Sequence, residues 1–518
     1  MAEFISSREA IDLIQDHHTL AVGGFVGFSI PEDLMSTLEN KYIEEKSPKN
    51  ISLFYCAGIG DKNGRGMDHF AHDGLLKKVY GGHVGLAPKL GELIAENKFP
   101  AYMVPQGVTI HLLKAIASGK PGVITHVGLK TFADPRVDGC KANAMAENED
   151  VVRLMSIDDK DYLFYKGFPI DVCFIKATTA DDQGNLSLEK EAVRADQLSM
   201  ATATKNSGGI VIAQVERLCK YGSLKASDVA VHKHLVDYVV VGDPKHNVQS
   251  FATDQYIPEW SGEVRGLPSK NSPSKFDIKR VIGKRGAFEL KKNGLVNLGI
   301  GVPEYVAMSA DEEGISNQIT LTIESGVMGG VPASGLGIGA TFNPDAIHIQ
   351  DQIFDLYDGG GIDVAYLGAA EIDKAGNVNV SKFGGKVVGP GGFVNISQNA
   401  KKIVFCGTFT AGGLRVDIDN GEIKIANEGR SMKFREEVEQ ISFSAEYAKD
   451  LGKEILYLTE RAVFRLGDSG IELIEIAPGV DMQKDILDQM EFIPKISDDL
   501  KIMDKRIFFD EKMNIEIK

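Results

Sequence analysis

Short apolar runs rich in Val and Ile recur along the chain, and most of them end in glycine. Examples are LAVGGF (20–25), NISLFYCAGIG (50–60), GIVIAQV (209–215), LVNLGIG (295–301), ITLTIESG (319–326) and KIVFCG (402–407). Runs this short, bounded by glycine, read as buried strands and not as helices. Between them, 86–97 (LAPKLGELIAEN) and 191–204 (EAVRADQLSMATAT) carry helical patterns. Strands alternating with helices predict an α/β architecture with mostly parallel sheets.

The pattern also repeats. TLAVGGFVGFSIPEDL (19–34) resembles GLVNLGIGVPEYVAM (294–308), each a strand, a glycine turn and then Pro-Glu. ISLFYCAG from Ile51 lies over ITLTIESG from Ile319, DDQGNLSL (181–188) mirrors EIDKAGNVNV (371–380), and GGIVIAQV from Gly208 echoes KKIVFCGT from Lys401. Four matches in one order imply two tandem, internally similar open α/β domains. The segment SGEVRGLPSKNSPSK (261–275) is rich in Gly, Pro, Ser and Lys, a linker composition. The expected layout is therefore an N-terminal half over 1–262, a linker over 263–275 and a C-terminal half over 276–518. Ligand clefts favour domain interfaces, so the active site is expected between the halves.

Composition narrows the function classes. The 518 residues exceed one ordinary core and suggest two to four domains. A net charge of −16, from 57 basic and 73 acidic residues, repels a phosphate backbone and argues against non-specific nucleic-acid binding. No apolar run approaches a membrane span, and the opening residues lack a signal-peptide core, so a cytoplasmic location is expected. Cys56, Cys140, Cys173, Cys219 and Cys406 are scattered and form no CxxC pair, which indicates neither zinc nor a disulfide framework. His17–His18 and His69/His72 bring no four-ligand set, and surface histidines are the expected reading. No GxGxxG opens a helix with an acidic ribose partner, so NAD is not expected. The closing DEKMNIEIK reads as a charged tail or a short edge strand.

Glu324 stands out. In the repeat it falls where the first half has Cys56, directly after the strand ITLTI and before Ser325 and Gly326. Ligands of open α/β sheets bind beyond the carboxyl ends of strands, and Gly326, Gly329 and Gly330 let a ligand approach the backbone. Taken alone, such a Glu more often caps a turn or pairs with a lysine.

ESGVMGGVP (324–332) after its apolar strand resembles the nucleophile motif of family I CoA transferases, and more closely the fused bacterial acetate/propionate branch with both halves on one polypeptide. The likeness runs end to end. It includes VYGGHVGLAPKLGELI (79–94), VPQG (104–107), VGLKTFADPR (127–136), YDGGGIDVAYLGAAEID (357–373), the long segment 379–414, YLTERAVFRL (457–466) and IEIAPGVDMQKDILDQM (474–490). Lys130 and DGCKAN (138–143) depart from a glycine-richer form.

The resemblance implies a CoA-transferase (NagB/RpiA-like) fold and a ping-pong exchange of CoA between an acyl-CoA and short-chain carboxylic acids such as acetate, propionate or butyrate. Glu324 would be the nucleophile, passing through an acyl-glutamyl anhydride and a 5-glutamyl CoA thioester. CoA is then a substrate and transient adduct, with no tightly bound cofactor or metal. A carboxylate suits this exchange because it resembles both substrate acids, and with an ordinary pKa of about 4.3 it needs no base at neutral pH. Gly299, Ile300, Gly301, Val302 and Pro303 resemble the CoA-binding loop. GPGG (389–392), with Gly391 and Gly392, would present backbone N–H groups to a developing oxyanion, and Gln106 would add a side-chain amide donor. Assembly as a homo-oligomer, dimer or tetramer, is implied as well. Two rivals stand beside this reading. One is acyl-CoA hydrolysis through the same Glu324; the other is a binding protein that keeps the fold without catalysis.

Overall fold

The structure, a computed structural model, describes residues 2–267 and 275–518. Residues 268–274 of the expected linker lie outside the described residues. The chain divides into two compact units. Unit 1 gathers Met1–Pro268, Ile323–Asp355 and Gly384–Asn395; unit 2 gathers Ser269–Thr322, Leu356–Phe383 and Ile396–Lys518.

In unit 1 the predicted runs form a sheet of β1 (Thr19–Val22), β2 (Ile51–Tyr55), β3 (Leu76–Gly81), β4 (Ala101–Met103), β5 (Val172–Asp181), β6 (Ile210–Cys219) and β7 (Tyr238–Val241). Their order is β7-β6-β5-β1-β2-β3-β4, and every pair along it is parallel. All ten residues of β5 are buried, which explains why its sequence is apolar without alternation. Helices α1 (Glu32–Glu45), α2 (Pro88–Ala95), α3 (Gln106–Ala117) and α4 (Gln197–Asn206) complete this part of the unit. The expected helix over 191–204 starts late. Ala192, Val193 and Ala195 instead join a core with Phe25, Phe28 and Trp260, and Ala195 has φ +43°, outside helical space.

The excursion 323–355 packs on that same core. Val331–Pro332 pairs antiparallel with Thr341–Phe342, and Trp260 stands edge-on to Phe28 at 5.8 Å and to Phe342 at 5.7 Å. Ala333 and Ala340 fill the remaining space.

Unit 2 holds β8 (Leu295–Leu298), β9 (Thr320–Thr322), β10 (Val364–Gly368), β11 (Lys402–Cys406), β12 (Glu454–Leu458), β13 (Ala462–Gly467), β14 (Gly470–Ile476) and β15 (Lys495–Ile502), in the order β9-β8-β10-β11-β12-β13-β14-β15. Pairing is parallel from β9 to β12, antiparallel through β13 and β14, and parallel again at β15. Helices α5 (Ile278–Ala287) and α6 (Glu304–Glu313) follow the same chain order.

The internal repeat is visible in the topology. β1 lies between β5 and β2 as β8 lies between β10 and β9, so both sheets reverse direction of growth at their first core strand. The repeat also holds in a turn. Asp181 accepts from the N–H groups of Gln183 and Asn185 and from the Asn185 amide, while Asp373 accepts from Gly376, Asn377 and the Asn377 amide in the same way.

Two readings are corrected. The closing segment is neither tail nor edge strand: Met513, Ile515 and Ile517 are buried in the unit 2 core, and Glu313 accepts from the Met513 and Ile515 N–H groups. His69 is not a solvated surface residue. It is buried, with Nε2 against Glu32 at 2.8 Å and Nδ1 against Glu39, which also holds His72. Among the described residues no helix is long and apolar enough to cross a membrane, and no cluster of three or more His, Cys, Asp or Glu could hold a metal.

Candidate active site

Glu324 sits in a tight turn just after β9. Gly326 N–H donates to the Ile323 carbonyl at 3.0 Å and Ile323 N–H to the Val327 carbonyl at 3.0 Å, which closes the turn from both ends. Gly326 has φ +107°, and a Cβ there would run into the His348 carbonyl oxygen, so glycine is required on both counts. His348 N–H returns a bond to Gly326 at 2.8 Å, and Val327–Met328 pairs with Ala346–Ile347. The turn is thus held by backbone hydrogen bonds.

Ser325, fully buried, donates its hydroxyl to the Gly339 carbonyl at 2.6 Å. Gly339 packs directly on the Phe25 ring. The Glu324 turn is therefore tied to the aromatic core of unit 1. Glu324 itself is half-buried, and desolvation raises its carboxyl above the usual range, partly offset by a backbone hydrogen bond at its own residue.

Gln106 opens α3 in the same unit. The orphan N–H groups of that helix start find partners outside it: Gln106 N–H donates to the Gly391 carbonyl at 2.9 Å and Gly107 N–H to Asn395 Oδ1 at 3.1 Å. A Cβ at Gly107 would collide with Asn395 and Phe354, which accounts for the glycine of VPQG. The Gln106 side chain is only 2% exposed, and its Nε2 has no partner among the described residues. A buried donor left unpaired costs free energy, so this amide calls for a specific explanation.

Gly391 and Gly392 adjoin this donor, and the Gln106 Oε1 lies 3.9 Å from where a Cβ of Gly391 would stand. The Gly391 N–H, however, donates to the Gly82 carbonyl at 2.9 Å. That donor is spent on the fold. Gly391 thus anchors the start of α3 through its N–H and its carbonyl.

Cys56, the repeat counterpart of Glu324, is buried at the end of β2. Burial pushes its thiol well up, and it shares a hydrogen bond with Asp196, whose carboxyl burial pushes up to about 6. It is a fully buried, packed thiol. Lys130 and Cys140, the departures from the expected form, have φ of 59° and 66°, so they occupy positions that favour glycine.

The GIGVP loop belongs to unit 2. Gly299 N–H donates to the Tyr366 carbonyl at 2.7 Å, across the point where β8 and β10 diverge. Ile300 is 62% exposed at the tip, Gly301 has φ +87° with open space around it, and Val302 and Pro303 lead into α6. Glu304 accepts the Gly301 N–H at 2.7 Å, and burial raises its carboxyl. Asn395 and Asp196 carry this geometry yet were not singled out by periodicity or motif; the bonds they make identify them.

Comparison with known proteins places the chain in a family. The family model for coenzyme A transferase matches residues 4–242. The chain is 41% identical over 511 residues to acetate CoA-transferase YdiF of Escherichia coli K12, covering 98% of this chain and 96% of that protein. It is 44% identical over 516 residues to caffeate CoA-transferase of Acetobacterium woodii, covering 99% and 98%. The crystal structure of acyl-CoA transferase YdiF from E. coli O157:H7, a thioester complex with CoA, superposes with a TM-score of 0.94 at 40% identity, covering 100% of this chain and 98% of that one. By sequence over its full length and by fold, the chain belongs to the family I coenzyme A transferases, in the fused branch that carries both halves on one polypeptide.

Proposed function

We propose that the protein transfers CoA from a short-chain acyl-CoA, such as acetyl-CoA, to another carboxylic acid, with Glu324 as the covalent nucleophile. The reading rests chiefly on one observation: a desolvated carboxyl on a backbone-locked turn, in the unit that also holds the buried, unpartnered Gln106 amide.

A Glu324 oxygen attacks the thioester carbonyl, the C–S bond breaks and CoA leaves as thiolate, forming an acyl-glutamyl anhydride. The thiolate attacks the Glu324 carbonyl, expelling the first acid and leaving the 5-glutamyl CoA thioester. An incoming carboxylate reverses both steps and departs as its CoA ester. Each attack puts negative charge on a carbonyl oxygen, and Gln106 Nε2 is the donor we assign to it, with Gly392 lining the same place. The GIGVP loop, Gly299 to Pro303, is assigned to CoA. Binding energy from the distant parts of CoA offsets the cost of the anhydride when it is realised at the transition state.

The acid remains a class and not a single compound. The relatives are named for acetate and for caffeate, so the acceptor range to test runs from acetate, propionate and butyrate to aryl-propenoic acids. We further infer a cytoplasmic homo-oligomer, with duplicated halves over 1–262 and 276–518.

The deciding experiment is mass spectrometry of the protein after incubation with acetyl-CoA and digestion at mildly acid pH. A CoA adduct on Glu324, lost on adding acetate and absent from Glu324→Gln, is the expected result. Steady CoA release without an adduct would replace the proposal with hydrolysis. Absence of both, across all acyl-CoAs tried, would mean a binding protein.

A further inference from the structure

The unit 2 sheet has its topological switch point between β8 and β10, the place where open α/β sheets take ligands beyond their strand ends. The loop there cannot offer its leading donor to an anion, because Glu304 occupies the Gly301 N–H and adds a carboxylate. A positive charge for an anionic ligand must therefore come from the neighbouring strand ends.

Lys433 supplies it. Its backbone is fixed beside Glu371–Asp373 by the Ile372 N–H, which donates to the Lys433 carbonyl at 2.8 Å. From there the side chain reaches the carboxyl ends of β10 and β11. Nζ lies 3.4 Å from the carbonyl of Ala369, which follows β10, and 3.1 Å from where a Cβ of Gly407, which follows β11, would stand. Glycine at 407 leaves room for the ammonium. Gly368 has open space around it, as Gly301 does.

The ammonium is poorly satisfied. Its one acceptor is long, and it makes no ion pair among the described residues. The carboxylate that acts on it, Glu460, is committed to Arg461 at 2.7 Å and to the Phe409 N–H at 2.9 Å. Desolvation lowers the Lys433 pKa from its ordinary value, against the weaker pull of Glu460. A half-buried cation with three donors and one weak partner is an anion site waiting for its oxygen.

We propose that Lys433 holds a phosphate oxygen of coenzyme A at the strand ends of unit 2. This rests on the CoA-transferase reading above. A phosphate fits better than the acceptor acid because the adjoining loop tip, Ile300, is exposed and apolar, a surface for the rest of a large nucleotide.

The test uses the full-length protein and two variants, Lys433→Met and Lys433→Arg, with folding checked by circular dichroism. KM is measured for acetyl-CoA, for acetyl-pantetheine, which lacks the nucleotide phosphates, and for the acceptor acid. Lys433→Met is expected to raise the acetyl-CoA KM roughly ten- to a hundred-fold, the size of a lost charge-assisted bond. Acetyl-pantetheine and acceptor KM should change less than about twofold, and Lys433→Arg should recover part of the loss. An equal loss with acetyl-pantetheine, a loss confined to the acceptor acid, or no change would each overturn the proposal. Absence of turnover in the unaltered protein would instead overturn the transferase reading.

Discussion

The hydroxyl of Ser325 and the carbonyl of Gly339 share a buried 2.6 Å hydrogen bond, and through it the turn bearing Glu324 rests on the Phe25, Phe28 and Trp260 core. Replacing Ser325 with Ala strands the Gly339 acceptor and frees the turn. Stability should fall by about 1–3 kcal/mol, as for other buried unpaired groups. If Glu324 is the nucleophile, kcat should change more than KM, because its placement suffers. Urea unfolding and steady-state kinetics on Ser325→Ala check both parts.

Gln106→Met is expected to do the opposite. The Nε2 has no partner to lose, so unfolding free energy should stay within about 1 kcal/mol of the parent. If the amide stabilises the oxyanion, kcat drops about 100- to 1,000-fold with little change in acyl-CoA KM. A large loss of stability with kcat preserved would assign Gln106 to the fold alone.

The acid limb of the rate profile should lie above the ordinary Glu range. Desolvation raises the Glu324 carboxyl, so the ionised form that the proposed mechanism needs is depleted at a higher pH than an exposed carboxylate would be. log(kcat/KM) against pH should fall with unit slope as pH drops through that raised value. Because the folded pKa is raised, ionising Glu324 also costs stability as pH rises.

His69 predicts a pH-dependent stability with the contrary origin. Burial disfavours its charge, but hydrogen bonds to Glu32 and Glu39 outweigh burial and raise it to about 9. The contribution is fully present below the unfolded pKa near 6.5 and is lost as pH rises to about 9, roughly 2–3 kcal/mol in all. Denaturant titrations at pH 6 and 9 should differ by that order. In His69→Gln the difference should shrink; an unchanged difference would place its source elsewhere.

Much of this was legible before any coordinates. Gly-bounded apolar runs fixed the strands, since β2, β6 and β11 need no partner information to be recognised as buried. The duplicated DxxGN and DKAGN turns showed the repeat, because a carboxylate catching three nearby donors is a local event. Glu324 was legible only with the family motif. What escaped was long-range: Asn395 capping α3 from 288 residues away, Asp196 against Cys56, and the late start of α4, where Ala195 adopts a left-handed φ. The closing DEKMNIEIK misled because alternate Met and Ile positions among charges look like a tail until Glu313 pairs their backbone.

Unit 1 is discontinuous along the chain, drawing in 323–355 and 384–395 from the second half. On the ribosome, the first 268 residues can emerge long before the pieces that cover Trp260 and cap α3 exist. Until residue 342 has been made, Phe25, Phe28 and Trp260 lack Ala333, Ala340 and Phe342, and an unfinished core is a surface for chaperones. Carrying both halves on one polypeptide guarantees that the missing pieces arrive in equal number, and always tethered to the core they complete.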